Sequence, residues 1–231
     1  SELRSILGRE TCASFKHTIP AGIAVSKYNQ ESTIEKVSDI YKRARDCDPL
    51  SSFGDFIAFS GKVDKKCAQY ISKVVSDGII AREYDSDALE ILKSKKGGRY
   101  VVLLGKDIDF MDSSISEIRS LNGATLVQNC EGKPYNTGYF NHFVTKKRKI
   151  TNNEREDLAI ASIAIRYAQS NSIGIAYKGQ LIGIGSGQQN RLDCVRLACD
   201  KAFLWLMRNN TEVKGLFNEY TILKSISILY S

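Results

Sequence analysis

Ser14-Phe15-Lys16-His17-Thr18-Ile19-Pro20-Ala21-Gly22 is the stretch from which the rest of the chain is read. The apolar lead-in from Thr11 to Phe15 predicts the end of a β-strand. Pro20 has no N–H to give to a ladder and biases Ile19 away from helix, so the strand is expected to stop before it. Lys16 and His17 then stand at a strand exit on a kinked backbone. Neighbours on a regular strand face opposite ways, and a kink lets both side chains reach one cleft. Neutral imidazole is a usable general base near neutral pH, and an ammonium beside it stabilises an oxyanion. The plain alternative is a solvated lysine next to a loop histidine.

The chain has 231 residues, enough for one large domain or two small ones. Its hydrophobic fraction of 42% and charged fraction of 26% are those of a soluble globular protein. No apolar run is long enough to cross a bilayer, so no membrane partner is expected. Ser1-Glu2-Leu3-Arg4 lacks a signal-peptide pattern and an initiator methionine, which points to a processed or excerpted chain. Cys12, Cys47, Cys67, Cys130, Cys194 and Cys199 form no Cys-x-x-Cys pair. They read as reduced, buried thiols of a cytoplasmic protein. His17 and His142 are the only histidines, and no His/Cys cluster of metal-site spacing is present, so no metal is expected. The net charge of +7 favours anionic partners. The basic run Lys146-Lys147-Arg148-Lys149 has no interleaved aromatics and reads as a solvated linker, not a nucleic-acid arm.

Working outward, Ser32-Thr33-Ile34-Glu35 has capping-box form ahead of a helix with Ile34, Val37, Ile40, Tyr41 and Ala44 inward. Asp48-Pro49 closes it. Ser51 to Asp55 reads as a loop and Phe56 to Phe59 as a buried strand; Gly54 lets a ligand approach the backbone. Asp64 is a predicted N-cap for a helix burying Cys67, Ala68, Ile71, Val74 and Val75. Asp77 falls at the turn into a strand from Gly78 to Ala81, where Asp-Gly turn chemistry is sufficient explanation. Ser86 starts a helix carrying Ala88, Leu89, Ile91 and Leu92. Lys95 to Gly98 is a turn and Arg99 to Leu104 a strand. Lys106 to Asn122 supports no assignment; Thr125 to Asn129 reads as a strand and Glu131 to Tyr139 as a loop.

Thr151-Asn152-Asn153-Glu154 is a second capping box. The helix behind it, from Leu158 to Ala168, is apolar on most faces and is expected to be buried on nearly all sides. The shift from basic linker to buried helix places a boundary near 150, dividing the chain into 1–150 and 151–231. Ile173 to Tyr177 and Leu181 to Gly185 predict a hairpin around Lys178-Gly179. Gly183-Ile184-Gly185-Ser186-Gly187-Gln188-Gln189-Asn190-Arg191 leads into a long helix expected to bury Leu192, Val195, Ala198, Ala202, Phe203 and Leu206. Such a loop suits an anion at the helix N-terminus, and Arg191 adds a fork for phosphate or carboxylate; close strand-to-helix packing demands glycine equally. After Thr211 the pattern weakens, with a loose strand alternation from Leu223 to Tyr230.

Taken together these stretches resemble the AICAR transformylase part of the bifunctional purine biosynthesis proteins. The resemblance is carried in order by Ser14-Phe15-Lys16-His17 with Pro20-Ala21-Gly22, Ser51-Ser52-Phe53-Gly54-Asp55, and Ser76-Asp77-Gly78-Ile79-Ile80-Ala81. Tyr84, Ala88-Leu89, Ile91-Leu92 and Lys95-Lys96 continue it. Gln169-Ser170-Asn171-Ser172 and the stretch 183–191 follow, with Arg196-Leu197-Ala198 and Asp200-Lys201-Ala202 after them. It spans about positions 14–205. It implies an α/β fold of duplicated, cytidine-deaminase-like three-layer α/β/α units with mixed sheets, the second unit incomplete. It implies formyl transfer from 10-formyltetrahydrofolate to an aminoimidazole carboxamide ribonucleotide in purine biosynthesis, in a cytoplasmic homodimer that needs no metal. By position His17 becomes the proton acceptor and Lys16 the oxyanion stabiliser. Gly54, Asp77, Asn171 and Arg191 match nucleotide-contacting positions. Leu192 matches a folate-contacting one, where isoleucine is commoner.

The chain also departs from that pattern. Arg82 replaces a usual proline and Ala168 a usual threonine. The Arg-Tyr-Gly-x-Asn-Pro-His-Gln stretch, the Pro-Phe-Arg-Asp stretch and the cyclohydrolase part have no counterpart. Two alternatives to a transferase therefore stand. One is a remnant that binds nucleotide or dimerises without turnover; the other is a generic nucleotide module built on the 183–191 loop.

Overall fold

The computed structural model describes residues 1–27, 35–105, 116–129, 137–144, 146 and 149–216. A short helix α1 (Glu2–Leu7) leads into a hairpin of β1 (Thr11–Lys16) and β2 (Ile19–Val25). Pro20 therefore does not end the pairing. It lies in β2 opposite Phe15, where the register shifts, and β2 is the edge strand of its sheet, where a missing N–H is tolerated. Helix α2 (Val37–Asp46) follows, then β3 (Asp55–Phe59), the two-residue strand β4 (Lys62–Val63), helix α3 (Lys65–Lys73) and β5 (Ser76–Ala81). The short strand β6 (Glu83–Tyr84), helix α4 (Ser86–Ser94) and β7 (Val101–Leu104) complete this part.

The five strands lie in the order β2-β1-β3-β5-β7. The first three pair antiparallel; β3, β5 and β7 pair parallel, with α3 and α4 in the crossovers that parallel pairing requires. One core forms where Ile57 and Ile79 of the sheet meet Ile40 and Tyr41 of α2, Ile71 of α3 and Leu92 of α4. Each such buried aliphatic side chain contributes about 1.5–3 kcal/mol. A second core joins Leu3, Ile23, Val25, Ile160, Ile163 and Leu181, so helix also packs on β2 through α1 and α5 (Asn152–Arg166). The fold is thus a mixed α/β arrangement with a five-stranded mixed sheet flanked by helices.

Asp64 caps α3 by accepting from the Cys67 amide, as the sequence predicts, but the helix stops at Lys73 and Val75 is 44% exposed. Asp77 is accordingly inside β5, not in a turn: parallel pairing begins at Asp55↔Ser76. Gly78 is there for space, since a Cβ would stand 2.3 Å from the Phe56 ring. Helix α2 is preceded by Lys36 at its N-cap, with Glu35 held by Arg43 instead of closing a box; Ser32 to Ile34 lie outside the described residues. Strands β8 (Ser116–Leu121) and β9 (Ala124–Asn129) form a hairpin whose first strand had no assignment. Asn122 and Gly123 both have positive φ at its turn, a pair suited to that geometry.

The capping box at Thr151 and Glu154 is present in α5. That helix buries one face, through Ala159, Ile160, Ile163 and Ala164, and Leu158 on another side is exposed. Strands β10 (Ser172–Ala176) and β11 (Leu181–Ser186) pair as the expected hairpin. Helix α6 (Arg191–Asn209) packs on β11 with Cys194, Ala198 and Ala202 inward. Leu192, Val195, Phe203 and Leu206, expected inside, are exposed. The reason is backbone proximity: a Cβ at Gly183 would lie 2.2 Å from the Ala198 carbonyl oxygen, and one at Gly185 would lie 2.2 Å from that of Cys194. Only small side chains fit such an interface. A short α7 (Thr211–Leu216) ends the described residues, and Leu223 to Tyr230 lie beyond them. Cys12, Cys47, Cys67 and Cys194 are buried free thiols, Cys199 is exposed, and Cys130 is outside the described residues. Among the described residues no helix is long and apolar enough to cross a membrane.

Polar contacts tie the β10–β11 hairpin and α6 to the rest. The Val25 amide donates to the Gly179 carbonyl at 2.9 Å, and Gln180 Nε2 donates to the Arg43 carbonyl at 2.7 Å. Lys201 of α6 pairs with Asp48 at 2.9 Å, and Asn209 Nδ2 donates to Asp46. Desolvation acts to raise the Asp48 carboxyl, yet Lys201 and the Ser51 hydroxyl and amide hold it below the usual value. A depressed carboxyl contributes stability that is complete above its unfolded value and is lost as pH falls through the folded value. Asp48→Asn is therefore expected to cost about 1–3 kcal/mol at pH 7. In urea titrations the gap to wild type should close as pH drops below about 4, the ordinary aspartate value.

Candidate functional site

Lys16 is the last residue of β1, beside the first residues of β3 and β5. Its ammonium donates to the carbonyls of Phe53 at 2.6 Å and Gly54 at 3.3 Å. Gly54 has φ 72, a left-handed conformation that favours glycine, and its amide donates to the Val75 carbonyl at 3.1 Å. A Cβ at Gly54 would stand 3.1 Å from Lys16 Nζ and 3.6 Å from Asp77 Oδ2. The bare backbone of Gly54 thus lies close against both an ammonium and a carboxylate. Asp77 Oδ1 pairs with Lys96 at 2.7 Å. Lys96 first, by its hydrogen bond, and Lys16 by its charge hold the Asp77 carboxyl below the ordinary value. His17 occupies the two-residue turn between β1 and β2, exposed, with φ 55.

A buried network holds this corner. Asp55, fully buried at the head of β3, accepts from Ser14 Oγ at 2.7 Å and Tyr41 OH at 3.1 Å through Oδ2. It accepts from Arg45 Nη1 at 2.9 Å through Oδ1. Arg45 Nη2 also donates to the Val75 carbonyl, and the Ser14 and Ser52 hydroxyls lie 2.9 Å apart. Burial pushes the Asp55 carboxyl up, against the pull of Ser14, Arg45 and Tyr41. Burial, with Asp55 beside it, raises the Tyr41 hydroxyl as well. Sequence reading did not single out Asp55 for a role. The available signal was a carboxylate heading the apolar run Phe56 to Phe59.

The second group lies at the start of α6. Arg191 Nη2 donates to Asn171 Oδ1 at 2.9 Å, and Asn171 Nδ2 donates to the Gln188 carbonyl at 3.1 Å. Cys194 Sγ donates to the Asn171 carbonyl at 3.0 Å, and Asn190 caps the helix by accepting from the Asp193 amide. The Ser170–Asn171 peptide is cis. Leu192 is 69% exposed beside Arg191. The structure thus joins Lys16, Gly54 and Asp77 in one group and Asn171 and Arg191 in another. Among the described residues no hydrogen bond or ion pair links the two groups. A cavity of about 290 Å³ between α1, α5 and the sheet, lined by Leu3, Phe15, Ile80, Arg82 and Tyr167 among others, includes neither. Among the described residues no group of three or more His, Cys, Asp or Glu could hold a metal ion.

The family model for the AICARFT/IMPCHase bienzyme matches residues 2–201. The chain belongs to the AICARFT/IMPCHase family. Relatives include the bifunctional purine biosynthesis proteins PurH of two strains of Clostridium botulinum. The Kyoto (type A2) protein is 32% identical and the Okra (type B1) protein 33% identical, each over 191 residues, 83% of this chain and 35% of the relative. The chain therefore spans about a third of the length of these AICARFT/IMPCHase relatives.

The Asp55 network makes a direct expectation. Asp55→Asn leaves Arg45 without its buried carboxylate and should cost about 3–5 kcal/mol. Tyr41→Phe removes a hydroxyl that donates to Asp55 and accepts from Arg45 Nη1 at 3.1 Å, and should cost less, about 1.5–3 kcal/mol. Equilibrium urea unfolding of the two variants measures both.

Proposed function

We propose that this chain carries part of an AICAR formyltransferase, moving a formyl group from 10-formyltetrahydrofolate to the 5-amino group of AICAR in purine biosynthesis. The observation that carries the reading is the grouping of Lys16 Nζ and Asp77 Oδ2 against the bare backbone of Gly54, in a chain of the AICARFT/IMPCHase family. In this proposal the fold is a duplicated, cytidine-deaminase-like three-layer unit divided near 150. The mixed sheet with helices against it supports that reading. The protein acts in the cytoplasm as a homodimer.

The aminoimidazole nitrogen is conjugated into the ring and carboxamide, so it is a weak nucleophile. As it attacks the formyl carbon, a C–N bond forms and its proton passes to His17, whose place in an exposed turn leaves the imidazole accessible. The formyl oxygen takes the negative charge, and the Lys16 ammonium stabilises it. Collapse breaks the bond to folate N10, which leaves with the proton that His17 took up, restoring the neutral imidazole. Asn171 holds the carboxamide and so the amine in attack geometry; Arg191, Gly54 and Asp77 contact the nucleotide; Leu192 lies on the folate side. The hydrogen bond between Asn171 and Arg191 supports placing those two in one subsite.

A second reading is favoured by one observation: Leu192, Val195, Phe203 and Leu206 form an exposed apolar face on α6. On that reading the chain binds nucleotide or dimerises without turnover. An assay of the purified chain with AICAR and 10-formyltetrahydrofolate separates the two: turnover supports transfer, and binding alone supports the second. Where turnover is present, His17→Ala is expected to lower kcat by about 10²–10⁴. A near-normal rate removes His17 from the role of base.

A further inference from the structure

The turn Lys95 to Gly98 joins α4 to β7 and holds two lysines with separate tasks. Lys95 Nζ donates to the carbonyls of Ile71 at 2.9 Å and Val74 at 2.5 Å, at the C-terminal end of α3. The Ile71 carbonyl also accepts from the Val74 amide at 3.3 Å as the helix ends, so Lys95 adds a second donor there and ties the turn to the end of α3. Lys96 then takes φ 54, ψ 33, and Gly97 takes φ 62, ψ 36. Left-handed backbone is uncommon for a residue with a side chain and costs about 1–2 kcal/mol. What that conformation accompanies is the contact of Lys96 Nζ with Asp77 Oδ1 at 2.7 Å.

That contact does little for stability. The side chains are 39% and 63% exposed, and pairs so open to water contribute at most a fraction of the strain. Its effect is on orientation. With Oδ1 held by Lys96, the carboxylate keeps Oδ2 toward Gly54, 3.6 Å from where a Cβ would stand, with Lys16 Nζ 3.1 Å from the same point. We infer that Lys96 is a positioning residue of the nucleotide site, fixing Asp77 so that Oδ2 accepts a hydrogen bond from a ligand hydroxyl or N–H beside Gly54. This rests on the assignment of the Lys16–Gly54–Asp77 group to a nucleotide. The lowered Asp77 carboxyl agrees with it, because an ionised group there acts only as an acceptor.

The decisive variant is Lys96→Gly, because glycine suits the left-handed turn while removing the ammonium. Its thermal midpoint should equal or exceed that of the wild type. Its affinity for AICAR, measured by titration calorimetry at low salt, should fall about three- to ten-fold. Lys96→Arg should recover most of the loss, and Lys96→Gly in an Asp77→Asn background should cause no further loss. In parallel, carbon-13 titration of the Asp77 carboxyl should show its midpoint rising in Lys96→Gly. Wild-type affinity in Lys96→Gly overturns the inference while leaving the nucleotide assignment intact, as does an equal loss in the Asp77→Asn background. An unmoved Asp77 titration overturns the contact itself. A wild-type chain that binds no AICAR overturns the nucleotide assignment and this inference with it.

Discussion

A carboxylate taken wholly out of water sets the geometry of this protein's first half. Asp55 is surrounded by a hydroxyl from β1, a phenol and a guanidinium from α2, and through Arg45 it reaches the carbonyl just before β5. An ionised group in that position is tolerated only when its lone pairs are met. The segments this network joins, the end of β1, the head of β3 and the residue before β5, carry or adjoin Lys16, Gly54 and Asp77. Ser14 lies two residues before Lys16, Gly54 directly precedes Asp55, and Val75 lies two residues before Asp77. The arrangement around Gly54 therefore follows from a charge buried behind it.

The second half is arranged on a different basis. Its hairpin and long helix meet through main chain, not through interlocking side chains, and polar pairs fasten them to the first half at Asp46, Asp48 and Arg43. Asn171 and Arg191 are brought together because a strand start and a helix start share that junction.

Local signals were the most legible in the sequence. The Asp64 cap and the Thr151–Glu154 box are short-range hydrogen bonds, and both are found where the residues predict them. The Lys178-Gly179 hairpin is of the same kind. The Asn122-Gly123 turn was equally readable, and only the polar strand before it obscured the pairing. What spacing could not supply was burial decided from outside the element. The apolar positions of α6 have helical period, but the glycines of the facing hairpin select Cys194, Ala198 and Ala202 for the interface. Asp77 read as a turn residue because the Phe56 ring that explains Gly78 is 22 positions away. Lys16, His17, Gly54 and Arg191 stand out by residue chemistry, whereas Asn171, Leu192 and a role for Asp77 come only from the family resemblance. Their grouping into Lys16 with Gly54 and Asp77, and Asn171 with Arg191, is a long-range fact that no local pattern contains.

The glycine seam under α6 has one more consequence. A side chain pressed too close can swing about its own bonds, but a carbonyl facing bare backbone has no such freedom. Positions 183 and 185 are therefore closed to drift, because even one methyl would collide with main-chain oxygen. The end of α6 that offers Arg191 is carried on a joint of close main-chain contact, so divergence in what that end recognises is expected through the tips of its side chains while the scaffold stays where it is.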